Sequence, residues 1–196
     1  MHALTRSSKR RIKKLRLLAN DETVDLWAMD EVHFQQYGSR CRMWVPPEIK
    51  NPVLQHHPTR KSVGYFGAVR LRDGKFIFAR ELNQFDAMTT WNFLRLLQRR
   101  SLNNRRRVVV ITDNAKYHHA KLHSDWRQQN QAHFRLDYLP PYSPDLNPIE
   151  RVWKLTRKLC IHDQYFPSIA AVTTAVETQF DRWTNGNATL RRLCSI

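Results

Sequence analysis

No apolar run in the chain reaches the roughly 18 residues that a membrane span requires. The N-terminal stretch MHALTRSSKRRIKKLRLL has neither a signal-peptide apolar core nor a cleavage site, so membrane insertion and export are not expected. Cysteine is sparse: Cys41, Cys160 and Cys194 are odd in number, far apart and without a C-x-x-C pair. This argues against a disulfide framework or a cysteine zinc site and fits reduced thiols in a cytoplasmic protein. Acidic residues are scarce as well, with 17 Asp and Glu against 33 Lys and Arg, a formal net charge of +16. Residues 1–20 hold no acid at all, but carry Arg6, Lys9, Arg10, Arg11, Lys13, Lys14 and Arg16. A cationic excess spread through both this arm and the body points to a polyanionic partner, most often nucleic acid, over a merely solubilising surface. Internal repeats and a second domain are also missing from the pattern.

The 196 residues, 41% hydrophobic and 11% aromatic, suffice for one domain with a real core. Residues 1–20 read as a basic arm or linker remnant, and 21–196 as a single domain. VDLWAMDEVHF (24–34) is a mostly apolar strand ending in charged residues. After a loop rich in Pro, His and Arg (46–61), SVGYFGAVRL (62–71) and KFIFAREL (75–82) form a hairpin about Arg-Asp-Gly. DAMTTWNFLRLLQRRS (86–101) is a helix with Asp86 as N-cap and Trp91, Leu94 and Leu97 at helical spacing. RRRVVVITDN (105–114) is the clearest strand, its β-branched run being what a strand covered on both faces looks like. A helix (120–130), a short strand (134–140) and helices over 149–160 and 168–183 follow, then a short helix in the tail. This order predicts a mixed central sheet flanked by helices, a three-layer α/β fold.

Three carboxylates fall at element ends. Asp30 closes the first strand, Asp113 closes the VVVIT strand, and Glu150 opens a helix. Functional groups in open α/β sheets collect at the carboxyl ends of strands, so a parallel pairing of these two strands would put both aspartates at one edge. Clustered carboxylates repel one another unless a cation sits among them, which is the hard-oxygen chemistry of Mg²⁺ or Mn²⁺. Two such ions suit in-line phosphoryl displacement. Each residue also has a plainer reading, as a strand end, a turn signal and a helix cap. Glu150 has the strongest plain reading: in LPPYSPDLNPIERVW (139–153), Asn147 fits an N-cap, Pro148 position N1 and Glu150 position N3. The prolines at 140, 141, 144 and 148 stiffen the approach to that helix. Glu31 points to the opposite face from Asp30 by strand alternation and is the weaker ligand candidate.

AMDEVHF, ITDNAKYHH and LPPYSPDLNPIERVW, taken together, resemble the signatures of the mariner-like DDE transposases, in particular their bacterial insertion-sequence branch. The resemblance spans roughly residues 24–180, and its third motif is highly specific. It implies an RNase H-like fold over 21–196, with Asp30, Asp113 and Glu150 as the catalytic, metal-binding triad for two Mg²⁺ or Mn²⁺ ions. It further implies DNA cleavage and strand transfer at transposon ends without a covalent protein–DNA intermediate, and a nucleoid-associated protein acting as a homo-oligomer. Complete members carry an N-terminal helix-turn-helix region, and only residues 1–20 precede the first strand here. The chain is accordingly read as the second reading frame of a split element, with an upstream helix-turn-helix polypeptide as partner, as a truncated copy, or as a catalytic domain alone. An RNase H-like nuclease or resolvase that does not join strands, and a non-catalytic DNA-binding remnant, are the alternatives.

Around this core, Asn114, His118 and Glu31 are candidates for supporting the metal ligands. Arg151, Lys154, Arg157 and Lys158 form a basic helix face suited to phosphates, as do Arg10, Arg11, Lys13 and Lys14 in the arm. Val152, Leu155 and Leu159 take the core face of the same helix. Arg105, Arg106 and Arg107 mark a strand entry remote from the site. His119 and His123 are four apart but lack a third ligand for zinc. Trp27, Trp91, Trp126 and Trp153 are read as core.

Overall fold

A computed structural model describes residues 6–37, 45–49, 59–102, 106–141 and 143–196. Cys41, Arg105, Tyr142 and most of the 46–61 loop lie outside the described residues, as do the side chains of 6–9. Five strands make one sheet: β1 (Val24–Gln35), β2 (Ser62–Arg70), β3 (Phe76–Glu81), β4 (Arg107–Thr112) and β5 (Phe134–Tyr138), in the spatial order β3-β2-β1-β4-β5. β1 pairs antiparallel with β2 and parallel with β4, so the sheet is mixed, and β1 lies at its centre.

Among the described residues six α-helices cover the two faces: α1 (Arg6–Asn20), α2 (Ala87–Ser101), α3 (Ser124–Asn130), α4 (Ile149–Thr156), α5 (Ile169–Asp181) and α6 (Ala188–Leu193). Strand alternation divides the core in two. Leu26, Ala28, Val32 and Phe34 of β1 pack with Leu15 of α1, Trp153 of α4, Val172, Val176 and Phe180 of α5 and Leu190 of α6. Trp27 and Met29 face the other way, onto Phe93, Leu94 and Leu97 of α2. Trp27 and Trp153 are fully buried, whereas Trp91 and Trp126 are half-buried at the flank.

The expected N-cap of α2 is present as a capping box. Asp86 accepts from the amides of Met88 and Thr89, and the Thr89 hydroxyl accepts from the Asp86 amide, each at 2.9 Å. The β2–β3 turn closes on Gly74, whose φ of 70° suits a residue without Cβ.

Four local expectations need correction. β1 does not end at Asp30 but runs on to Gln35, because β2 continues to pair with it through Gln35↔Ser62. The helix begun at Ile149 ends as α-helix at Thr156 and continues as a π-helical turn over Arg157–Ile161. The wider turn rotates the following residues, so Leu159 is 49% exposed while Cys160 and Ile161 take the core positions. Asn147 is not a side-chain cap: its Nδ2 donates to the Met29 carbonyl at 3.0 Å, and Pro148 occupies the cap position without a side-chain bond. Finally, the basic segment is a helix docked on the sheet. Arg11 and Lys14 reach Asp137 of β5 at 2.8 and 3.0 Å, and Leu15 is buried.

Candidate active site

The parallel β1–β4 ladder has Ala28↔Ile111 as its last paired rung. Asp30 and Asp113 each lie two residues past that rung, so the register alone sets them at the same level on neighbouring strands. Beyond β5 the chain turns back across this edge. Leu139 N–H bonds to the Thr112 carbonyl at 2.9 Å, and a short 3₁₀ turn over Pro144–Leu146 delivers the chain to α4. Asp30, Asp113 and Glu150 thereby line one cleft of about 420 Å³, walled by Pro140, Pro141, Ser143 and Pro144 and floored in part by Asn147.

The electrostatics of the three acids differ. Asp30 has its carboxyl pushed up to about 7, mainly by burial and then by the negative charge of Glu150, with Asp113 adding to it. Asp113 is held below the ordinary carboxylate range chiefly by the close approach of the His118 ring. The His118 Nε2 lies 3.1 Å from Asp113 Oδ1, and the Ala115 amide donates to the same oxygen at 3.1 Å.

Glu31 lies on the opposite face of β1, as alternation requires. Its Oε2 accepts from the Tyr117 hydroxyl at 3.1 Å, and its Oε1 is 3.6 Å from His118 Nε2. Burial, followed by the charges of Asp30 and Asp113, raises its carboxyl well above the usual range. Ligand atoms of Glu31, Asp113 and His118 all lie within 4.8 Å of one another, a mixed oxygen–nitrogen cluster behind the cleft. Asn114 lines the cleft but turns its side chain to His119 Nε2.

The donor set fits a divalent cation. Three carboxylates converge on one cleft, and the charges of Glu150 and Asp113 add to burial in disfavouring ionisation of Asp30, an opposition that a bound cation would relieve. All-oxygen donors at such a site match Mg²⁺ or Mn²⁺ rather than a thiolate-seeking metal.

The basic side chains are less free than the sequence implies. Arg151 is tied to the carbonyls of Leu193 and Ser195 at 2.8 and 2.9 Å, and Arg157 lies 5.6 Å from the Phe34 ring centroid. Lys154 and Lys158 are exposed, as are Arg10 and Lys13. Arg106 and Arg107 sit at the opposite end of β4 from Asp113, with Arg106 bonded to the Glu22 carbonyl. His119 stacks on Tyr138 while His123 bonds the Tyr117 carbonyl, so the two histidines serve different partners.

A family model described as DDE superfamily endonuclease matches residues 25–173. The chain belongs to this family. Among solved structures, the family's fold is matched by a Mos1 strand transfer complex (21% identity, 98% of this chain and 59% of that chain, TM-score 0.64). A Mos1 mariner paired end complex with Mn matches at 18% identity over 98% of this chain and 60% of that one, with a TM-score of 0.68. A Mos1 transposase paired-end complex with left transposon end gives 19%, 98%, 62% and 0.63. The present family member thus spans about three-fifths of the Mos1 chains it matches. A search of curated proteins gives no match. The mixed five-stranded sheet with helices on both faces is the RNase H-like fold.

Two residues that matter to this geometry, Asn147 and Trp153, were read from sequence only as a cap and as core. Asn147 fastens the start of α4 to β1. Trp153 donates from its indole nitrogen to Asp30 Oδ2 at 3.1 Å.

Proposed function

We propose that this chain is the catalytic domain of a DNA transposase that cleaves phosphodiester bonds at transposon ends and joins the freed ends to target DNA. The observation that carries the reading is the convergence of Asp30, Asp113 and Glu150, from three separate elements, on one cleft of a DDE-family fold. Structures of Mos1 with transposon ends, and with Mn or Mg, support DNA as partner and a divalent cation as cofactor.

Asp30, Asp113 and Glu150 are the residues that would hold two Mg²⁺ or Mn²⁺ ions. Bound there, such ions would activate an attacking oxygen and stabilise the leaving one during in-line displacement. The protein's own part is positional. β1 and β4 set the two aspartates at one level, and the proline-walled segment brings Glu150 to them. His118 orients Asp113 from behind, with Tyr117 and Glu31 completing that network. Exposed Lys154 beside the cleft is placed to take a DNA phosphate, with Lys158 a turn further on. Arg10 and Lys13 offer a second cationic surface on α1. A homo-oligomer and a helix-turn-helix partner for end recognition belong to the same reading.

The test is nicking and strand transfer on DNA carrying the cognate inverted repeats. Cleavage that requires Mg²⁺ or Mn²⁺ and disappears in Asp113→Ala and Glu150→Ala is expected. Activity surviving either substitution refutes the triad. Cleavage without joined product would identify a nuclease, and salt-sensitive binding without cleavage a DNA-binding remnant.

A further inference from the structure

Trp153 occupies a place that links two of the three acids. It stands three residues after Glu150, one turn along the same face of α4. Its ring is 1% exposed and packs edge-on to Phe34 and Phe76 at centroid distances of 6.5 and 5.9 Å. Packing alone would leave its Nε1–H without a partner, and a buried N–H without a partner is costly. Instead that N–H donates to Asp30 Oδ2 at 3.1 Å.

The sheet is shaped to admit this ring. Gly67 of β2 stands directly across from Asp30 in the antiparallel ladder, so the two residues share a face. A Cβ at position 67 would come within 2.3 Å of Trp153 Cη2 and 2.9 Å of Phe76 Cζ. The indole therefore lies over the one strand position whose missing side chain makes room for it, with its nitrogen directed at the neighbouring carboxylate. One oxygen of Asp30, Oδ2, accepts from the indole.

We propose that Trp153 is a positioning residue for the metal centre: its indole N–H fixes the carboxylate of Asp30, and Gly67 provides the niche that makes this bond possible. The helix that brings Glu150 thus also orients the acid opposite, and Asn147, bonded to the Met29 carbonyl, ties the same helix to β1 one residue before Asp30. Hydrogen bonds to metal-ligating carboxylates orient the ligand, and losing one typically costs 10–100-fold in metal affinity. The inference rests on Asp30 being a metal ligand.

The experiment counts free Mn²⁺ by electron paramagnetic resonance while the full chain, without DNA, is titrated with MnCl₂. Trp153→Phe keeps an aromatic ring in the niche and removes the donor. Its Mn²⁺ affinity is expected to fall about tenfold. The near-isosteric replacement of Trp153 by β-(3-benzothienyl)alanine exchanges only N–H for sulfur, so it decides the matter should the smaller phenyl ring impair folding. The same loss is expected there, with an unchanged circular dichroism spectrum. Wild-type affinity in the benzothienyl protein, or in a folded Trp153→Phe, overturns the proposal. Asp30→Ala separates the two levels of the reading. Unchanged Mn²⁺ binding in that variant would remove Asp30 from the metal centre, whereas weakened binding there with no effect at Trp153 would refute only the positioning role.

Discussion

Asp30 makes the folded protein's stability depend on pH in a direction opposite to that of most carboxylates. Its folded-state carboxyl is at about 7, against 3.8 as the ordinary value, because burial and the charge of Glu150 disfavour ionisation. Between those values the folded state keeps a proton that the unfolded chain has released, so the contribution of this residue to stability falls as pH rises. Below about pH 4 both states are protonated and there is no penalty; above about pH 7 both are ionised and the penalty is complete. At about 1.4 kcal/mol per pH unit, the interval corresponds to at most about 4 kcal/mol. Asp30→Asn removes the titration while keeping the shape. Urea unfolding from pH 4 to pH 8 in the presence of a chelator should therefore show the two proteins converging at low pH. The Asn variant should then become progressively more stable than wild type, by about 2–4 kcal/mol at pH 8. Millimolar Mg²⁺ should close that gap by stabilising wild type alone, since a ligand that binds only the native state adds stability by mass action. A difference between the two proteins that stays flat with pH would refute the claim that folding raises the Asp30 carboxyl.

At the far end of the sheet, Asp25 is 1% exposed and paired with Arg70 and Arg72 at 3.2 and 2.9 Å. Asp25→Ala should cost about 1–3 kcal/mol in urea unfolding, since it removes charge-assisted bonds to both arginines while Arg70 keeps Asp73 and Arg72 keeps the Val24 carbonyl, and it should leave Mn²⁺ affinity unchanged. The Arg80–Glu177 pair is close, at 2.6 Å, but lies at the surface; Arg80→Ala should cost under about 1 kcal/mol by the same measurement. Asp113 behaves in the ordinary direction: its folded value lies below 3.8, so its stabilisation is present above that pH and is lost on acidification through the folded value. Removing the imidazole with His118→Ala should move the Asp113 carboxyl up towards 3.8, read by carbon NMR titration.

The fold was legible where local chemistry and burial agree. The VVVI run of β4 has no polar position to offer solvent, and it forms the strand covered on both faces. Asp86 and Thr89 carry their own helix start, independent of anything distant. What stayed hidden depends on residues far apart in sequence or on small changes of phase. Arg11 reads as a free cation until Asp137, 126 positions away, folds back beside it. A single π-helical turn after Thr156 shifts the helix face enough to expose Leu159, and no side chain before it announces the change. The gathering of Asp30, Asp113 and Glu150 was legible because each sits where a strand or helix ends its pairing, although Asp30 lies where the β4 ladder stops and not where β1 stops.

The stretch LPPYSPDLNPIERVW shows why a cap reading and a site reading were not rivals. Neither Asn147 nor Glu150 spends its side chain on capping α4: the Glu150 amide is satisfied by the Asn147 carbonyl at 3.2 Å, and the 3₁₀ turn supplies the lead-in. That frees Glu150 for the cleft and Asn147 for β1. The prolines then act on position more than on helix stability. They wall the cleft, fix the path from β5, and leave α4 a short segment whose placement is set by Asn147 at one end and Trp153 a turn and a half later. A helix located by two bonds to adjacent residues of β1 cannot slide along the strand without breaking one of them. The distance between Glu150 and Asp30 is therefore a property of the docked helix itself.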